Sequence, residues 1–73
     1  MNIDKRVALE SLERQINSGI AALVQQASGL HAAIKLDDHA DEGLGEGYAI
    51  GAVCRINSQL DLMKTAIKEF ENA

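Results

Sequence analysis

The stretch LERQINSGIAALVQQASGLHAAI, residues 12–34, decides the fold. Its apolar side chains recur every three or four residues, close to the period of an α-helix. They are Leu12, Ile16, Ile20, Leu23, Ala27, Leu30 and Ile34. Asn2 is placed to cap the start of this helix, and Asp4 and Lys35 suit the helix dipole at its two ends. We therefore predict a first helix over about residues 3–36.

A second apolar series follows in the other half of the chain. Its members are Ala49, Ala52, Ile56, Leu60, Met63, Ile67 and Phe70. Their mean spacing of about 3.5 residues is typical of helices that wrap around one another. The series predicts a second helix over about residues 47–71. Two helices of similar length joined by a short connection fold back on each other as an antiparallel helical hairpin.

The acidic, glycine-rich junction over residues 37–46 admits two interpretations. In the first it is a loop, and the second helix begins near Glu46. In the second the helix begins at Asp38, and Gly43, Gly47 and Gly51 lie four residues apart on one face. A glycine inside a helix costs about 1 kcal/mol relative to alanine, so such a stripe predicts that another helix packs closely against it.

Small residues also form a stripe on the first helix, offset from the large apolar one. Ala22 and Gly29 belong to it, and we expect close helix contact at both positions as well as at the three glycines. The Ser28-Gly29 pair is a common type of kink site, and a break there would give three helices instead of two.

The length of the chain argues for self-association. A core built from 73 residues supplies only about 3–5 kcal/mol, and a single cysteine, Cys54, excludes an intrachain disulfide. A lone hairpin cannot bury the apolar faces of both helices, whereas two hairpins can form a four-helix bundle. We therefore expect an all-α homodimer. Its expected self-association core comprises Leu12, Ile16, Ile20, Leu23, Leu30, Ile34, Ile56, Leu60, Met63, Ile67 and Phe70.

The acidic composition disfavours two classes of partner. The net charge is −4, and affinity for nucleic acids or anionic membranes depends on an excess of Lys and Arg. The uncharged residues 15–34 have about the length of a membrane span, but they include several polar side chains such as Gln25 and Gln26. The N-terminal residues lack the apolar run of a signal peptide. We expect a soluble, cytoplasmic protein that does not bind membranes.

No motif for chemistry is found in the sequence. The acids near His39 do not fit a calcium loop, because Glu42 and Tyr48 occupy the diagnostic Gly and Glu positions when the loop starts at Asp37. The glycines lack both dinucleotide-binding and P-loop spacing. Cys54 has no histidine near it in sequence, and His31 borders the apolar stripe. We predict no catalytic residue, no metal site and no cofactor, and hence that the protein is not an enzyme.

Two resemblances bear on the setting. The motifs Ala27-Ser28-x-Leu30-x-x-Ala33, Ala49-Ile50 and Leu62-Met63-Lys64-x-Ala66-Ile67 resemble small, uncharacterised helical-hairpin proteins of pseudomonads and their phages, over about residues 21–67. This resemblance implies two helices and a bacterial or phage-like setting, with the host cytoplasm as location if phage-encoded. The expected architecture, with the local sequence His39-Ala40-Asp41-Glu42, is similar to the plasmid repressor-of-primer hairpin dimer. That family binds RNA through basic side chains along one helix.

These features together predict a non-enzymatic interaction protein, a regulator or inhibitor that binds a partner protein. The candidate partner-binding residues are Leu44, Tyr48, Asp41, Glu42 and Glu46. One alternative is a nucleic-acid-binding hairpin dimer that uses Lys5, Arg6 and Arg14 from both subunits. A further alternative is an oligomer that sequesters a small ligand between its subunits.

Overall fold

Two long helices pack against each other as an antiparallel hairpin. The computed structural model describes residues 1–38 and 42–72, except for the side chain of Glu42. Helix α1 spans Ile3–Asp38 and helix α2 spans Glu42–Glu71. The first helix begins where its capping residue predicts and ends two residues later than expected. The hairpin is thin, with Cα atoms extending over 58 × 16 × 8 Å.

The start and the middle of α1 follow from local hydrogen bonding. The side-chain oxygen Oδ1 of Asn2 accepts a hydrogen bond from the backbone N–H of Lys5 at 2.7 Å, which is an N-cap. At the predicted kink site, the Ser28 hydroxyl donates to the carbonyl of Val24 at 3.4 Å. This back-bonding occupies the hydroxyl without interrupting the helix. The helix runs without a break through Ser28-Gly29, so the three-helix alternative is wrong.

Helix α2 begins at Glu42, about five residues before the expected start at residue 47. Gly43 and Gly45 are therefore helical, as in the second interpretation of the junction, but this helix starts at Glu42 and not at Asp38, which ends α1. The cause lies at Gly45, where a Cβ atom would come within 2.9 Å of the Ala33 carbonyl oxygen. Only glycine lets the two backbones approach this closely, and that packing keeps the first turns of α2 helical.

Small residues form the contact between the helices. All five residues that are buried in the described part of the chain are glycine or alanine: Gly19, Ala33, Gly45, Ala52 and Ala66. Each accommodates the opposite helix, since the Met63 side chain lies on Gly19 and the Ala52 methyl group lies against Gly29. The pairs Gly19–Met63, Gly29–Ala52 and Ala33–Gly45 also establish the antiparallel register.

The large apolar side chains flank this contact. Members of the expected core that lie half-buried beside the small residues are Leu12, Ile16, Leu23, Leu30, Ile56, Met63 and Phe70. Four other members, Ile20, Ile34, Leu60 and Ile67, are exposed. The single hairpin therefore places its smallest residues inside and leaves much of its large apolar surface facing solvent.

Two glycine substitutions test this packing. We expect Gly45→Ala to lower the free energy of unfolding by about 1–3 kcal/mol, because the new methyl group meets the backbone of Ala33. Gly47→Ala is the matched control, since a Cβ atom there has nothing within 4 Å. It should raise the free energy of unfolding by about 0.5–1 kcal/mol. Urea denaturation followed by circular dichroism measures both, and equal effects would contradict the proposed backbone contact.

Candidate interaction surfaces

The hairpin has two broad faces, and the grooves between the helices show which side chains share each one. Ile34 of α1 and Glu46 of α2 line one groove. Gln15 of α1 and Leu62 of α2 line another. Residues seven apart in a helix that wraps around its neighbour lie on the same side. Each pair therefore identifies one stripe on each helix, and the two faces can be followed along the whole hairpin.

One broad face is apolar, and we call it the apolar face. Its exposed side chains are Ile20 and Ile34 of α1 and Val53, Leu60 and Ile67 of α2. The half-buried large side chains Ile16, Leu23, Leu30, Ile56 and Met63 lie beside them. No charged residue falls in these stripes between Ile16 and Ile34 or between Ala49 and Ile67. An uncharged apolar surface is typical of interaction sites, which makes this face a candidate for one.

The opposite broad face carries small and polar residues such as Gln15 and Ser18 on α1, and the exposed Leu62 on α2. Near the bend, however, α2 carries Leu44 and Tyr48, which are 46% and 54% exposed. They line a shallow depression together with Gly43, Gly47, Gly51 and Arg55. We call this cluster the Leu44–Tyr48 patch.

The residues predicted to bind a partner do not all lie together. Leu44 and Tyr48 share one patch, but Glu46 points to the other side of α2 and lines the groove of the apolar face. Residues two apart in a helix lie about 200° apart, which separates Glu46 from both. Asp41 and the side chain of Glu42 lie outside the described residues.

The predicted close contacts of the small residues are made in part. Gly29 lies against Ala52, and Ala22 is half-buried in the hairpin. By contrast, nothing lies within 4 Å of a Cβ atom built on Gly43 or Gly47. Gly51 is covered only by the guanidinium group of Arg55 from its own helix. The two helices of the hairpin thus make no close contact with each other at Gly43, Gly47 or Gly51. The close contact predicted for this glycine stripe would have to be with another molecule.

Arg55 is a residue that the sequence patterns missed. Its Nε donates a hydrogen bond of 2.7 Å to Oε1 of Gln26 on the other helix. This bond holds the Arg55 side chain beside Gly51, where its guanidinium group forms the floor of the Leu44–Tyr48 patch. Val53 was missed as well, although its seven-residue spacing to Leu60 and Ile67 is a signal that identifies it.

Two of the basic residues near the N-terminus of α1 contact other side chains of the hairpin. Arg6 Nε lies 3.1 Å from Glu10 Oε1, and Lys5 Nζ lies 5.3 Å from the centroid of the Phe70 ring. Each contact is exposed, and such pairs contribute a few tenths of a kcal/mol. These two contacts nevertheless engage Arg6 and Lys5, which are two of the three cations on which the nucleic-acid alternative depends.

The remaining candidates for chemistry are isolated. Cys54 and His31 are both exposed. Over residues 1–38 and 42–72, no cluster of three or more His, Cys, Asp or Glu side chains is arranged to hold a metal ion. Neither α1 nor α2, in the part that the structure describes, contains a segment long and apolar enough to cross a bilayer.

Nucleic-acid binding is tested by an electrophoretic gel-shift titration at low salt. We expect no shift of single- or double-stranded RNA or DNA at tens of micromolar protein, because three cations per chain neutralise few phosphates. The triple variant Lys5→Ala, Arg6→Ala, Arg14→Ala serves as the control for any weak signal. A shift that the triple variant abolishes would instead support the nucleic-acid alternative.

Comparison of the chain with known proteins found no relative, since no family model, curated protein or solved structure matches it. The resemblance to hairpin proteins of pseudomonads and to the repressor of primer therefore stays a prediction. Function must be inferred from the apolar face and the Leu44–Tyr48 patch.

Proposed function

We propose that the protein is a non-enzymatic interaction protein, a small acidic regulator or inhibitor that acts as a homodimer and binds a partner protein. The observation that carries this proposal is the apolar face. Five of the thirteen large apolar side chains that are exposed in the described part of the hairpin lie on this face, while the buried apolar residues of that part are three alanines. An isolated chain with so little buried apolar surface has little to stabilise it against the entropy of unfolding.

A second copy is the occupant that best fits the apolar face. The Cα atoms of the hairpin extend 58 Å by 16 Å in its broad plane, a footprint of the same order as the roughly 800 Å² of surface that each partner buries in a standard protein interface. Stacking two such faces gives a four-helix bundle in which exposed side chains such as Val53 and Leu60 enter a common core. The apolar stripes carry no charged residue between Ile16 and Ile34 or between Ala49 and Ile67, so in that part of the face a second copy meets no unpaired buried charge.

The Leu44–Tyr48 patch supports binding of a different protein. It lies on the broad face that remains exposed when the apolar face is covered. Tyrosine offers a large, rigid contact area with a polar tip and is enriched at the energetic centres of interfaces. Open backbone at Gly43 and Gly47 lets a partner's chain approach α2 closely. We propose the bacterial cytoplasm, or the host cytoplasm for a phage-encoded protein, as the setting, on the resemblance of residues 21–67 alone.

Matched charge insertions on α2 test the dimer. Val53 on the apolar face is 47% exposed and Leu62 on the opposite face is 64% exposed, so a single hairpin tolerates glutamate at either position. We expect light scattering to give twice 7.8 kDa for the wild-type chain and for Leu62→Glu. Val53→Glu should reduce the mass toward that of one chain, because a carboxylate enters the apolar interface.

Two results would count against the dimer. One is a wild-type chain that has the mass of a single chain at high micromolar concentration and unfolds at a concentration-independent temperature. The other is dissociation by Leu62→Glu with none by Val53→Glu, which would move the interface to the opposite face. A thermal midpoint that rises with protein concentration supports the dimer, because dissociation is then coupled to unfolding.

The partner surface is tested with variants that leave the dimer intact. We expect Leu44→Ala with Tyr48→Ala to lose a protein that the wild type retains from a lysate of the native host, while dimeric mass is unchanged. Leu62→Ala removes an exposed apolar side chain of the same helix outside the patch and should retain that protein. Quantitative mass spectrometry of the bound fractions measures the difference. Identical fractions from all three would exclude Leu44 and Tyr48 as anchors.

A further inference from the structure

The two ends of the hairpin carry different charge. The sequence of residues 37–46, which spans the connection between the helices, contains five acids, one histidine and no Lys or Arg. Five of the seven basic residues of the chain lie toward the other end, in residues 1–20 and 61–73, where the six acids almost balance them. We call the two ends the bend end and the open end. The net charge of −4 is thus concentrated at the bend.

The same asymmetry appears on the apolar face itself. At the bend end the stripes of this face finish in carboxylates, Asp37 on α1 and Glu46 on α2. At the open end the stripe of α1 continues through the exposed Glu13 to Arg6, whose side chain is 77% exposed and pairs with Glu10. Two copies can stack these faces in two ways, with their bends at the same end or at opposite ends.

The two arrangements differ in the electrostatic repulsion between the copies. Bends at the same end bring the acidic ends of both copies together, with Asp37, Asp38 and Glu46 of each, at the edge of an interface where solvent screening is reduced. Bends at opposite ends separate these acidic residues by most of the 58 Å length, many times the Debye length of roughly 8 Å. They also place the nearly charge-balanced open end of each copy, where Arg6 pairs with Glu10, at the level of Asp37 and Glu46 of the other.

We propose that the occupant of the apolar face is a second copy whose bend lies over the open end of the first. This inference rests on the dimer proposed above and gives it an orientation. It has a functional consequence, because the two Leu44–Tyr48 patches then lie at opposite ends of the bundle on its outer faces. Each dimer presents two separate, identical partner sites and binds two partner molecules.

Distances between spin labels measure the orientation directly. Lys35 and Lys68 are exposed near the bend end and the open end, and each is replaced by a labelled cysteine in a Cys54→Ser background. At 1.5 Å per helical residue, opposite bends place the two labels at Lys35→Cys about 45 Å apart and those at Lys68→Cys about 35 Å apart. With bends at the same end, the width of the bundle alone sets both distances, at about 25 Å.

Pulsed electron paramagnetic resonance on dimeric samples, with mass checked by light scattering, gives the result. A long distance at position 35 that exceeds the distance at position 68 supports opposite bends. Dimeric mass with short, similar distances at both positions overturns the orientation and leaves the proposed dimer standing. Monomeric mass for the unlabelled wild-type chain overturns the dimer and the orientation together. Either labelled position suffices alone if the other variant does not fold.

Discussion

The close packing of two helices through glycine and alanine is the constraint on which the rest of the structure depends. At Gly19 an added methyl group would collide with the Met63 side chain, and at Gly45 it would collide with the backbone of Ala33, whereas Gly29 is in ordinary contact with Ala52. Close approach gives good van der Waals contact along the hairpin. It also removes very little apolar surface from water, because the residues inside have almost none. The large side chains are consequently left at the edges of the contact, where they form the apolar face.

This division explains what could be predicted from sequence. The 3.6-residue period identified both helices, since a long periodic series of leucines and isoleucines is a strong signal. The stripe of small residues identified a close helix contact at Gly29. Which stripe lies inside was not evident, because both have helical spacing and the hydrophobic effect alone favours burying the larger one. Only packing geometry decides it, as the contact of Gly45 with the backbone of Ala33 shows.

The acidic junction shows a different limit of sequence reasoning. Glycine and acidic residues over 37–46 are typical of a loop, yet α2 begins at Glu42. Tertiary packing overrides the local preference there, because Gly45 is required for a contact that only a helix can place correctly. The same helical start separates Glu46 from Tyr48, which are neighbours in sequence and lie on opposite sides of the hairpin. A cluster of candidate residues in sequence is therefore not a cluster in space.

Gly43 and Gly47 remain in conflict with the helix that contains them. Unlike Gly45, neither allows a close approach within the hairpin, and each lowers helix stability by about 1 kcal/mol relative to alanine. Sequences tend to keep such locally unfavourable residues where function needs them. Here the two glycines expose the α2 backbone between Leu44 and Tyr48, on the face opposite the proposed dimer interface. That position links the two glycines to the proposed partner surface, whereas the proposed self-association uses the other face.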